Sequence, residues 1–119
     1  MGFLRGGAGR AVEWVDAGAE ADERVLDHLA RLGCDPASPR ATTHFVYLTQ
    51  HDDASQVAAI LRGNGWQTRL ESCADDSWLV VAHRVCALSS ASVRATRRML
   101  EGLAAEHRGV YDGWEAQRD

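Results

Sequence analysis

The chain has 119 residues, enough for one domain with its own core, which a chain of this size builds by burying roughly two thirds of its unfolded surface. Seventeen acids outnumber 13 bases, every base is arginine, and the formal charge of −4 excludes a protein that lives by unspecific counterion release from nucleic acid; RNA or DNA binding would need a local basic face. No apolar window approaches the ~20 residues of a membrane span, the run between Arg5 and Arg10 is too short for a secretory signal, and three cysteines without a C-x-x-C pair imply reduced thiols, so a cytoplasmic protein with no membrane partner is expected.

Residues 1–16 are glycine-rich and read as an irregular, partly flexible N-terminal segment, leaving 17–119 as the domain. A helix is expected from about Ala19. Glu20, Asp22 and Glu23 load its first turn with charge that opposes the dipole, Val25, Leu26, Leu29 and Leu32 form its apolar stripe, and Gly33 ends it. Asp35-Pro36-Ala37-Ser38-Pro39 is a stiff loop, because proline fixes φ and biases its predecessor toward extended geometry. Thr42 to Thr49 reads as a strand with Val46 and Leu48 on one face and Thr43, Phe45 and Tyr47 on the other.

Asp52 or Asp53 is the expected cap of a second helix carrying Val57, Ala58, Ile60 and Leu61, broken by Gly63-Asn64-Gly65. From Trp66 to Ser72 the residues Trp66, Thr68 and Leu70 alternate with Gln67, Arg69 and Glu71, as in a strand with one wet face. Ala74 to Ser77 is a turn, which pairs that strand with Trp78 to Val85 as an antiparallel hairpin. Ser89 or Ser90 starts the longest helix, with Val93, Leu100, Leu103 and Ala104 inward, and Gly109 stops it before a last strand from Val110-Tyr111.

This order specifies an α+β domain, a ferredoxin-like split βαβ sandwich (βαββαβ) with an extra N-terminal helix and a four-stranded antiparallel sheet. Right-handed crossovers place the strands after Pro39 and from Trp78 centrally, and those from Trp66 and Val110 at the edges. Two helices cover one face. The other is wet, capped by the leading helix, or bound to a partner.

Several residues in this order resemble the RraB family of regulators of ribonuclease E activity. They are Val25-Leu26 in a short helix closed by glycine, Pro39-Arg40, His44 and Tyr47 on the next strand, Gly65-Trp66, and the ending Tyr111-Asp112-Gly113-Trp114-Glu115; together they span about Asp22 to Glu115. The resemblance implies a domain without catalysis or cofactor that binds a ribonuclease E/G-type enzyme and alters its activity. The acidic C-terminal extension of the enterobacterial members is missing here, and the glycine-rich N-terminal segment is not a family feature.

Other constellations each have a plainer explanation. His44, His83 and Cys86 lack metal-ligand spacing, and a histidine bonded within the sheet explains them better. Arg40 either clamps a carboxylate or phosphate or, preferably, fastens its loop to an acid such as Asp112. Arg94, Arg97 and Arg98, with Arg84 and Arg108, form a basic patch, although Glu101 offers Arg97 an ordinary intrahelical partner. Ser89-Ser90 is better read as a cap than a nucleophile, and the paired aspartates suit a helix start and a turn. No catalytic template fits, so an enzyme is not expected.

The expectation is a regulatory binding protein that docks on a ribonuclease E/G-type enzyme, with Tyr111, Asp112, Trp114 and Glu115 as contacts and Arg40, His44 and Tyr47 nearby. One alternative is a single-stranded RNA binder that stacks bases on Phe45 and Tyr47 of the open face. Another is a homodimeric scaffold that packs open faces together.

Overall fold

The computed structural model describes residues 3–5 and 17–117, with side chains described from residue 21 onward. Eight elements follow one another: β1 (Phe3–Arg5), α1 (Ala17–Arg31), β2 (Arg40–Leu48), α2 (His51–Gly63), β3 (Gln67–Ser72), β4 (Trp78–Cys86), α3 (Ser90–Glu106) and β5 (Gly109–Gln117). From β2 onward this is the expected βαββαβ order. The sheet runs β1-β5-β2-β4-β3 and every neighbouring pair is antiparallel. β2 and β4 are central and β3 is an edge, as the crossovers require.

β5, expected at the other edge, is covered. Phe3–Arg5 pairs with Glu115–Gln117 and adds a fifth strand from within the stretch read as irregular. Residues 6–16, the rest of that stretch, lie outside the described residues.

The helix ends show which residues carry the stops. Gly65, at φ 90°, closes α2: its N–H bonds to the Arg62 carbonyl at 3.1 Å and the Trp66 N–H reaches the Leu61 carbonyl at 3.0 Å. The Ser89 hydroxyl accepts from the Ser92 N–H at 3.1 Å and caps α3. The aspartates do not cap α2. Gln50 takes that position without a side-chain bond, and Asp52 and Asp53 lie in the first turn, where their charge opposes the dipole. At the end of α3 the left-handed residue is Arg108, at φ 60°. Gly109 is needed for a different reason: a Cβ there would stand 2.3 Å from Leu48 Cδ1 and 2.4 Å from the Tyr47 carbonyl oxygen.

Alternation along β2 divides the sheet. Arg40, Thr42, His44, Val46 and Leu48 are buried beneath the helices, and Ala41, Thr43, Phe45 and Tyr47 are half-buried on the opposite face. Val57, Ala58 and Leu61 of α2, Val93, Leu100 and Ala104 of α3, and Val25 and Leu29 of α1 join Val46 and Leu48 in one core. Ile60 and Leu32, expected inside, are exposed. The buried arc of α2 runs through Ala54, Val57, Ala58 and Leu61, which turns Ile60 outward, and Leu32 follows the last turn of α1. All three helices lie on one side of the sheet, because Asp22 of α1 bonds to Arg97 of α3 and to Trp114 of β5. α1 therefore does not cap the open face.

Candidate functional site

The helix-covered face holds a buried polar chain. Asp22 Oδ2 accepts from Arg97 Nε at 2.5 Å, and Asp22 Oδ1 accepts from Arg97 Nη2 at 2.8 Å and from the Trp114 indole N–H at 2.6 Å. Burial works against the charge on Arg97, but the bidentate carboxylate outweighs it and holds that guanidinium above its ordinary value. The guanidinium also lies 4.9 Å from the centre of the Tyr111 ring. Burial pushes the Tyr111 phenol well above its usual range, so its O–H stays intact and can donate.

His44 continues the chain. Burial, reinforced by Arg84 and Arg97, pushes its pKa down to about 3, so the ring is neutral. Its tautomer follows from its neighbours. Thr42 Oγ1 donates to the Arg84 carbonyl at 2.8 Å, so it can only accept from His44 Nε2 at 3.3 Å; Nδ1 then accepts from the Tyr111 hydroxyl at 2.9 Å. Trp66 meets the imidazole edge-on at 5.2 Å. Both ring nitrogens are engaged, and the cavity beside them, about 10 Å³, has room for a water molecule and not for a substrate. This cluster fastens α1 and α3 to β5 and β2.

The opposite face is open, and register orders it into rows. Glu115, Thr43, His83 and Gln67 form one row across β5, β2, β4 and β3; Gly113, Phe45, Val81 and Arg69 form the next; Val110, Tyr47, Leu79 and Glu71 form the third. The first row and the β3 side of this grid are polar, and the rest, out to Gly113 and Val110 on β5, is apolar. Val81 is fully buried between its neighbours, Phe45, Tyr47 and Leu79 are half-buried, and Val110 is 55% exposed. Arg69 Nη1 donates to His83 Nε2 at 3.1 Å, which leaves the proton on Nδ1 to bond Thr43 Oγ1 at 3.0 Å. Arg69 Nε donates to Glu71 at 2.6 Å. Partial burial and Arg69 both push His83 below its ordinary pKa. Among the described residues no helix lies on this face, and none is long and apolar enough to cross a membrane.

The seven residues singled out in the sequence do come together, since β2 and β5 are adjacent with His44 opposite Trp114. Five turn inward. His44, Tyr111 and Trp114 belong to the buried chain, Arg40 donates to the backbone carbonyls of Gln117 at 3.2 Å and Asp35 at 3.4 Å, and Asp112 is the extra, buried residue where the register shifts between Phe45 and Val46. Arg40 thus has its structural role. Tyr47 and Glu115 reach the surface.

The basic patch does not form as read. Arg97 is interior, Arg84 sits 4.2 Å over the Trp66 ring and donates to Thr96 at 2.9 Å, and Arg108 reaches Asp53 at 3.3 Å. His44 and His83 lie on opposite faces of the sheet and cannot share an ion. Sequence reasoning missed the Asp22–Arg97 pair and the Thr43–His83–Arg69 ladder. The signal for the first was a carboxylate one turn ahead of Val25 in an otherwise apolar stripe.

A family model described as regulator of ribonuclease activity B matches residues 19–116, from within α1 to within β5. Comparison with curated proteins finds no match.

Proposed function

The chain belongs to the RraB family of regulators of ribonuclease activity, and on that premise we propose that it modulates a ribonuclease E/G-type endoribonuclease by direct protein contact through the open face of its sheet, without cleaving RNA itself. The observation that carries this reading is the face's anatomy. Phe45, Tyr47, Leu79 and Val110 form an apolar patch, bordered by Glu115, Thr43 and His83 along one row and by Arg69 and Glu71 along β3, which suits a docking surface with aromatic anchors and a polar edge. Tyr47 and Glu115 are the two sequence-chosen contacts that belong to it. Tyr111, Asp112, Trp114, Arg40 and His44 act from behind, holding β5 and β2 in register.

Stacking of single-stranded RNA on the same face has less support. Among the described side chains of the face the one arginine, Arg69, is paired with Glu71, and Glu115 adds negative charge, so little counterion release is available. The deciding experiment measures cleavage of an oligoribonucleotide by the cognate ribonuclease with and without the protein, together with binding of the two proteins in ribonuclease-free buffer. A changed rate, a direct complex and no cleavage by the protein alone are expected. No complex at micromolar concentration, or capture that disappears once RNA is removed, would overturn the proposal.

A further inference from the structure

Among the described residues β3 ends the sheet and pairs only with β4, so no described strand lies along its outer side. Natural proteins usually blunt such an edge with charges that repel a second strand. Here the charges do the opposite. Arg69 and Glu71 project from the same face, opposite Val81 and Leu79, two residues apart and of opposite sign. Their side chains are 57% and 45% exposed.

We propose that β3 pairs antiparallel with β3 of a second copy about a two-fold axis through Leu70, joining two five-stranded sheets into one of ten strands. In an antiparallel pair, residues directly opposite lie on the same face. An axis through Leu70 sets Leu70 against its own copy, Arg69 against Glu71 twice, and the hydroxyls of Thr68 and Ser72 against each other twice. The neighbouring in-phase registers lose this match: an axis through Arg69 faces arginine with arginine, and one through Glu71 faces glutamate with glutamate. The existing Arg69–Glu71 contact is exposed and weak, so it can exchange for a four-charge ring across the junction while Arg69 Nη1 stays on His83. A two-fold perpendicular to the sheet also leaves both open faces on the same side. The dimer presents two copies of the docking face side by side and occludes neither.

Sedimentation or light scattering of the full chain up to about 100 µM tests the pairing, since a dimer held by one short strand pair is expected to dissociate in that range. Arg69→Glu and Glu71→Arg should each raise the dimer dissociation constant about ten-fold or more, and the double exchange R69E/E71R should restore it. All three variants should keep the wild-type melting temperature, and amide exchange in β3 should slow as concentration rises. A monomer throughout, a dimer indifferent to both single variants, or a double exchange as weak as the singles would overturn the proposal. Disruption of the dimer by Phe45→Ser alone would assign self-association to the open face instead. Arg69 and Glu71 also rim the docking face, so the ribonuclease assay is run on the wild-type chain and self-association is read on the protein alone; failure of either reading then leaves the other standing.

Discussion

Replacing Asp22 with alanine should be among the most damaging single changes inside the domain. The carboxylate accepts three hydrogen bonds from two side chains, and the Arg97 and Asp22 side chains are 8% and 3% exposed. Removing it takes the two short, buried bonds from a guanidinium that stays charged under the helices and leaves the longer 3.4 Å contact to half-exposed Glu101, at a cost of about 3–5 kcal/mol for a broken buried pair. It also leaves the Trp114 N–H without its acceptor, a further loss of about 1 kcal/mol or more. The contributions overlap through the shared oxygen, so about 4 kcal/mol is expected, a large part of the roughly 5–15 kcal/mol that holds a domain together. Urea unfolding followed by tryptophan fluorescence reads this as a lower midpoint with unchanged slope, and the melting temperature should fall by roughly 15 °C. The double variant D22L/R97M separates charge from packing, because it removes both partners and should recover most of the loss. A cost below about 1 kcal/mol for Asp22→Ala would refute the buried-pair account.

Three further outcomes are expected. Gly109→Ala drives a methyl group into the Tyr47 carbonyl and Leu48, and should cost about 1–3 kcal/mol by thermal unfolding, whereas Gly102→Ala, in open space on α3, should be neutral or stabilising. His44 binds its proton near pH 6.5 when unfolded and only near pH 3 when folded, so the unfolded state takes up the extra proton as pH falls and stability declines from about 6.5 downward. The loss approaches about 1.4 kcal/mol per pH unit and His83 adds in the same direction; His44→Asn should flatten the wild-type slope, and an imidazole signal of His44 that titrates between pH 5 and about 8 would contradict this. Phe45→Ala and Tyr47→Ala should weaken the ribonuclease complex by about ten-fold or more in a titration, with little change in melting temperature, while Trp114→Ala should unfold the domain before it reports on binding.

Much of this architecture could be read from residue patterns because the pattern and the packing obey the same period. The alternation of β2 gave Val46 and Leu48 to the core and Phe45 and Tyr47 to the open face, and the glycines after α1 and α2 stopped both helices by their left-handed conformation. What escaped were features fixed by distant partners. Phe3–Arg5 has no strand signature of its own and gains its conformation from the edge of β5. Aromatic rings such as Tyr111 and Trp114 suit a surface as well as a core, so residue type alone leaves their side of the sheet open. Only the register against His44 and Val46 decides that they face the helices. Arg97 looked like surface charge for the same reason, since its partner Asp22 lies 75 residues away.

The order of strands bears on how the molecule is made. β5 is synthesised after every other element, yet it lies inside the sheet, between β1 and β2. Neither neighbour can close its ladder until the ribosome has delivered Gly109–Gln117, and the tryptophan that anchors α1 arrives in that same stretch. A nascent chain stalled before this point exposes two unsatisfied strand edges and an amphipathic helix that lacks its tryptophan contact. Vectorial synthesis should therefore leave the domain vulnerable to chaperones and proteases until its final nine-residue strand emerges.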